Sequence, residues 1–314
     1  MPRFNYIVTI HNKEELIERV LTSILIVAGP DSHIYLVLDG CTDRTEAIID
    51  NMIDCWVGLP ITKLYAPDVH EILSLNIALR SAPQTGDGFN ILLQDDVILL
   101  EREFENKVIA CYRYFQDQIG VLSFRHGINV GLDSVGGEAV DIDLIESVYG
   151  HGIVDHPLLP GYAVRRMVCM RSPQCISFAT IRTVGLLNEK FAPYTYDDHD
   201  YGLRCIAAGL QNVVYALKSQ SKVEWGGMRQ SPQPGVIAVM KRNRKFIYED
   251  HAEFVRSIDV ADFLQPPVRI DADIASQDPA SALRVYEESK ANLKRFNRKR
   301  QFNILRRLRE RLAL

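Results

Sequence analysis

Three groups of acidic side chains stand out by position. Asp39 closes the apolar run Ile34 to Leu38, Asp95-Asp96 follow the run Phe89 to Leu93, and Asp197-Asp198-His199-Asp200 opens a helical pattern. Carboxylates at the carboxyl ends of strands lie where open α/β sheets bind ligands, and they can hold a hard cation that grips a diphosphate. Clustered acids raise one another's pKa, and burial raises it further, which produces groups able to move protons near neutrality. Each group also has an ordinary reading: Asp39 before Gly40 is a turn residue, and an acidic run is a solvated helix start. Neither strand is followed by a Gly-x-Gly-x-x-Gly turn and the chain has no Gly-Lys-Ser/Thr loop, which disfavours dinucleotide dehydrogenases and P-loop enzymes.

The elements that must carry these groups follow from periodicity. Phe4 to Ile10 is short, apolar and β-branched, as a strand buried on both faces should be. Leu16, Val20, Ile24 and Val27 then recur at helical spacing before Gly29-Pro30. Strands are predicted at 34–38, 61–65 and 89–93, with helices over 42–52 and 72–80 between them. This alternation predicts a mainly parallel sheet covered on both faces. Further on, a helix is expected over 104–115, a strand over 120–124, regular structure over 175–184 and a helix over 200–208. Residues 127–161 hold seven glycines and two prolines with weak periodicity, so a loop-rich insert is expected there.

The composition, 47% hydrophobic and 24% charged, is that of a globular chain with a full core. No run approaches the ~18 to 20 apolar residues of a membrane span, and the opening residues lack a cleavable signal pattern, so a cytoplasmic protein is expected. Six scattered cysteines without a Cys-x-x-Cys pair read as reduced thiols rather than zinc ligands. Residues 281–314 carry eleven basic and three acidic residues, whereas the first 280 carry 25 basic and 37 acidic. The acidic body argues against nucleic-acid binding. The tail, with Leu293, Phe296, Ile304, Leu305, Leu308 and Leu312 among its charges, reads either as a basic amphipathic helix for an anionic membrane surface or as a helix packed on the body.

Four segments in order resemble the inverting glycosyltransferases of family 2, which have the GT-A fold. They are Val8-Thr9-Ile10-His11-Asn12-Lys13-Glu14, Val37-Leu38-Asp39-Gly40-Cys41-Thr42-Asp43-Arg44-Thr45, Leu92-Leu93-Gln94-Asp95-Asp96-Val97, and Leu186-Leu187-Asn188-Glu189-Lys190-Phe191 leading into Asp197-Asp198-His199-Asp200-Tyr201-Gly202-Leu203-Arg204. The likeness spans roughly residues 4–250. It implies a GT-A-like (Rossmann-like) α/β domain over 1–250, with a nucleotide-sugar half (1–100) and an acceptor half (101–250). A linker (251–280) and the helical tail (281–314) would follow. Asp39 would accept a hydrogen bond from the nucleobase, with Thr9, His11, Asn12, Asn76 and Asp95 completing the nucleotide site. Asp96, with Glu224 as a second candidate ligand, would hold Mg2+ or Mn2+ against the diphosphate. Asp198 would be the general base that deprotonates the acceptor hydroxyl, supported by Asp197, Asp200 and Arg204. Asp200 would cap the helix, and Arg204 would pair with one of the acids.

The chain departs from the family pattern at Gln94, where the first acid of the Asp-x-Asp motif belongs, and at Leu75-Asn76, where an Arg-Asn pair is common. The His expected after the base helix is also missing from 222–229, where Glu224 could replace it or Trp225 could stack on a sugar. The resemblance implies single-sugar, non-processive transfer from a nucleoside-diphosphate sugar to a glycan or lipid-linked acceptor in cell-surface polysaccharide synthesis, at or near the inner face of the membrane. The competing reading is a catalytically silent relative that keeps the fold as a binding or scaffold protein.

Overall fold

In the computed structural model, which describes residues 2–56, 58–135, 138–149, 158–222, 225 and 234–270, side-chain parity organises the core. β1 (Arg3–Ile10) is buried from Phe4 onward. Its residues Phe4, Tyr6, Val8 and Ile10 join one apolar cluster, while Ile7 joins a second on the other face of the sheet. The same period of two divides β2 (His33–Asp39), where Leu36 and Leu38 face one cluster and Tyr35 and Val37 the other. It divides β4 (Gly88–Gln94) in the same way. Helices α1 (Ile17–Val27), α2 (Thr45–Cys55) and α4 (Phe104–Tyr114) supply buried residues to the first cluster. Helices α3 (His70–Ser81), α5 (Phe178–Val184), α6 (Asp197–Ala207) and α7 (Pro234–Ser257) supply the second. Each fully buried aliphatic side chain contributes roughly 1.5–3 kcal/mol, so two dry faces hold the sheet between helical layers.

β3 (Ile61–Ala66), β2, β1 and β4 are parallel neighbours. Beyond β4 lie β11 (Gln174–Ser177), β6 (Ile119–Ser123), β12 (Gln211–Tyr215), β9 (Tyr162–Arg165) and β14 (Val268–Arg269), in that order. Only β11 and β9 run against the rest, so the sheet is mostly parallel. The short pair β5 (Ile98–Leu99) and β13 (Ser219–Gln220) stands apart from it. Among the described residues no helix is long and apolar enough to cross a membrane.

Two expectations need correction. Most of the predicted loop-rich insert is an antiparallel hairpin of β7 (His126–Val135) and β8 (Glu138–Tyr149), with His126 opposite Tyr149; β10 (Val168–Met170) adds a third strand to β7. Its glycines are packing devices as much as loop signals. A Cβ at Gly127 would lie 2.6 Å from the Val214 side chain and 2.9 Å from the Val168 carbonyl, so only glycine lets the hairpin cross the main sheet that closely. The linker predicted from residue 251 is the other. α7 runs through residue 250 without a break, and β14 extends the main sheet. Buried Phe263 offers its carbonyl to Asn129 and Arg166 at 3.3 and 3.0 Å. Residues 251–270 therefore belong to the body, and β4 lies between β1 and β11, so one sheet joins the two halves. The tail 281–314 lies outside the described residues.

Candidate functional site

The registers bring the ends of β1, β2 and β4 to one edge: Thr9 pairs with Gln94, and Ile10 with Leu38. The His11 N–H donates to Asp95 Oδ2 at 2.8 Å, and Lys13 Nζ lies 3.5 Å from Asp95 Oδ1. Burial nevertheless pushes the Asp95 carboxyl up to about 7, with Asp96 adding to the rise and Lys13 and the His11 N–H opposing it. Asp96, on the same strand end, is 4% exposed. His11 Nδ1 lies 2.6 Å from the Asp39 carbonyl, so that nitrogen carries the proton. Asn12, at φ +48°, accepts from the N–H groups of Thr42 and Asp43 at 2.8 and 3.3 Å. Thr9 is buried on β1.

Asp39 has a local task in addition to any nucleobase role. Its Oδ1 accepts from the Val69 N–H at 2.8 Å and its Oδ2 from the His70 N–H at 2.7 Å. These bonds fix a turn in which Asp68 and His70 both have positive φ. Gly40, at φ +61°, lets that turn close in, because a Cβ there would lie 2.7 Å from Asp68 Cβ.

A second acidic group meets this edge from α3 and α6. Gln94 Nε2 donates to Glu71 Oε1 at 2.8 Å, and Arg171 Nε lies 3.4 Å from the same oxygen. The Arg171 guanidinium also bonds Asp197 Oδ2 through Nη2, and its Nε lies 3.7 Å from Asp198 Oδ1. Burial raises Glu71, and the charges of Asp197 and Asp96 raise it further. Glu71 therefore bridges the β4 acids and the α6 acids electrostatically. Asp198 is pushed up to about 7, first by burial and then by Asp197 and Glu71 against the opposing Arg171. Burial weakens Arg171's hold on its proton, but Asp197, Asp198 and Glu71 outweigh it and drive its pKa up. Five carboxylates thus gather around two cations, Lys13 and Arg171.

Several predicted residues serve the frame of the site. Helix α6 begins at Asp197 behind Tyr196, so Asp200 sits in its first turn and is not its cap. Asp200 instead joins Arg204 Nε at 2.8 Å and His251 Nε2 at 2.9 Å, tying α6 to α7. Arg204 donates onward to the carbonyls of Val184 and Leu186. Asn76 is fully buried: it accepts from the Leu187 N–H at 3.1 Å and donates to the Leu187 carbonyl and to Glu189. Both ends of its amide are engaged by protein groups. Asn76→Ala should cost roughly 2–4 kcal/mol by stranding the buried Leu187 groups, with donor affinity changed less than about twofold. Denaturant titration and a binding isotherm would check both. Glu224 lies outside the described residues. The Trp225 ring has Arg19 at 5.1 Å over its centroid, with Lys222 also at 5.1 Å, and so is covered by cations.

The sequence assigns no site role to Glu71, Lys13 or Arg171. Glu71 carries only the weak signal of an acid in a helix's first turn, and Arg171 sits in an irregular Met-Arg-Ser-Pro segment with no spacing cue. Among the described residues no group of three or more His, Cys, Asp or Glu side chains is arranged to hold a metal ion.

No protein-family model matches the sequence, and a search of curated proteins gave no match. Solved structures do resemble it. S. aureus TarS 1-349 in complex with UDP-GlcNAc is similar over 83% of this chain and 71% of that one, at 17% identity and a TM-score of 0.50. GalNAc-T7 with UDP, GalNAc and Mn2+ is similar over 83% of this chain and 53% of that one, at 14% identity and a TM-score of 0.53. The chain spans 35% of a longer TarS chain. At such identities the likeness is one of fold, and the fold of this chain is GT-A-like, a large mostly parallel sheet flanked by helices as in these two glycosyltransferases.

Proposed function

We propose that this chain is an inverting glycosyltransferase that moves one sugar from a nucleoside-diphosphate sugar to a hydroxyl of a glycan or lipid-linked acceptor. The observation that carries the reading is the placement of Asp198: at the head of α6 with its side chain 12% exposed, raised to about 7, and joined through Arg171 and Glu71 to the acids at the end of β4. A carboxylate with that pKa is half ionised at neutrality and strong enough to take a proton from an attacking hydroxyl. In the transfer, Asp198 accepts the acceptor's proton as its oxygen bonds the anomeric carbon. The bond to the diphosphate breaks on the opposite face, and its electron pair leaves with the diphosphate oxygen. UDP-sugar donors are supported by the UDP-GlcNAc held by TarS and the UDP held by GalNAc-T7.

The donor set suits a hard divalent cation held mainly by substrate. Both Asp95 oxygens already have protein partners and Gln94 is engaged by Glu71; the family resemblance gives Asp96, 4% exposed beside them, as the carboxylate ligand. Mg2+ characteristically binds through one or two carboxylates plus substrate phosphates. Such an ion would supply Lewis-acid stabilisation of the departing diphosphate; Asp96 would anchor it. Asp39 would shape the base pocket by fixing the 68–70 turn. The basic tail 281–314 would meet an anionic membrane surface, placing the enzyme beside lipid-linked acceptors in cell-surface polysaccharide synthesis.

The protein partners already held by Asp39 and Gln94 favour, as a second reading, a silent relative that only binds nucleotide sugars. Thermal unfolding with UDP-sugars, with and without Mn2+, followed by donor hydrolysis in the absence of acceptor, separates the possibilities. An enzyme should gain about 2.7 kcal/mol at a donor concentration one hundred times Kd and release nucleoside diphosphate slowly. Stabilisation without hydrolysis at any metal concentration would identify the silent relative. Absence of stabilisation by every nucleotide sugar would overturn both readings.

A further inference from the structure

Three carboxylates from two helices converge on a single buried guanidinium. We propose that Arg171 is the positioning residue of the transfer, dividing the adjacent acids Asp197 and Asp198 into a fixed anchor and a working base. The proposal rests on the reading of Asp198 as the base.

The two acids are neighbours in sequence but not in environment. Asp197 is 2% exposed and directly bonded to Arg171 Nη2, a charge-assisted contact that commits its carboxylate. Asp198 is held more loosely. Its Oδ2 accepts from the Arg171 main-chain N–H at 3.4 Å, whereas Oδ1 stands 3.7 Å from Nε and has no hydrogen-bond partner among the described residues. Oδ1 is therefore the oxygen not committed to a hydrogen bond, and the one the proposal assigns to the acceptor proton. Arg171 is itself fixed, with a side chain 5% exposed and Nε 3.4 Å from Glu71 Oε1. Glu71 is in turn held by Gln94 at the end of β4. This chain of contacts also explains an amide at position 94: it donates to Glu71, where a carboxylate would repel it.

Arginine suits this task because its planar fork can engage two acids in different directions, whereas an ammonium is a single point charge. Two adjacent carboxylates in a low-dielectric site resist joint ionisation unless a cation is shared between them. The groups facing Asp198 are Asp197 on its own helix, Glu71 from α3, and Arg171 and Cys169 from β10 and the segment after it. His199, next on α6, turns its ring toward Tyr196 at 4.8 Å.

The test is the pH dependence of kcat/KM for the intact chain and four variants, with folding monitored by circular dichroism and donor affinity measured separately. Arg171→Met should move the acidic limb up by about one pH unit or more, because the charge favouring ionised Asp198 is gone. Asp197→Asn should move it down by about one unit, because a like charge is removed and the guanidinium can turn to Asp198. Arg171→Lys should leave the limb within about half a unit of wild type, while kcat falls about tenfold at unchanged donor KM, the fork being lost and the charge kept. Should Arg171→Met fail to fold, Asp197→Asn and Arg171→Lys still decide the matter. Acidic limbs unmoved in the folded variants, or wild-type kcat in Arg171→Lys, would overturn the inference. Asp198→Asn tells its failure from that of the parent reading. If that variant is inactive while the limbs stay fixed, only the role of Arg171 is lost; if it turns over normally, the base assignment itself is wrong.

Discussion

Asp198→Asn should lower turnover by roughly a hundred- to ten-thousandfold, the range supplied by a positioned general base, and should also make the protein more stable in alkaline solution. Both effects come from the same burial. The carboxyl rises from an ordinary 3.8 to about 7, so between those values the native state binds a proton that the unfolded chain has released. Stability from this source is fully present below pH 3.8 and is lost as the pH climbs through 7. Above that, the native state carries a carboxylate that water would solvate better. At about 1.4 kcal/mol per pH unit, the penalty at pH 8 reaches up to roughly 4 kcal/mol. Asparagine keeps the shape and removes the penalty, so the two proteins should unfold alike at pH 4 and diverge by pH 8, with the variant the more stable. Denaturant titrations at the two values, alongside initial rates, measure both effects. Equal stability at pH 8 would mean that Asp198 is not strained by burial, and normal rates would remove it from catalysis.

What the sequence discloses follows from how local each signal is. β1, β2 and β4 carry short apolar runs, and the structure keeps their predicted positions within one or two residues because both faces are buried. The hairpin β7–β8 does alternate, with Ile128, Val130 and Leu132 on one strand. Gly127, needed for close crossing over β12 and β10, and Gly131, packed against Ile145, give this alternation the composition of a loop. The acids at the ends of β2 and β4 and at the head of α6 could be read because strand ends and helix starts are local features. Their partners could not be. Arg171 reaches the site only because β11 inserts antiparallel between β4 and β6 and carries the preceding segment to the end of β4. Asn76 shows the converse: the family resemblance implies a ligand contact, but the turn at 186–189 lies across it and takes both ends of its amide.

Asp96→Asn should be the other crippling change, with turnover falling on the order of a thousandfold, because metal stabilisation of a leaving diphosphate is worth several kcal/mol. The reasoning turns on the contrast with Asp95. Asp95 has a main-chain N–H on one oxygen and Lys13 near the other, and Lys13 is anchored in turn to the Trp225 carbonyl at 2.6 Å. That lattice organises the strand ends, and a cation seeking Asp95 would have to displace a lysine. Asp96 follows on the same strand end, and the surplus of carboxylates over cations there favours a divalent ion at the point where a diphosphate must also be accommodated. The variant should therefore need at least tenfold more Mn2+ for half-maximal rate, and UDP affinity should lose its dependence on Mn2+. Asp95→Asn should instead leave the metal response near wild type. A wild-type Mn2+ response in Asp96→Asn, together with a shifted one in Asp95→Asn, would exchange the roles of the two acids. An unchanged response in both would mean that Lys13 and Arg171 neutralise the diphosphate without a metal.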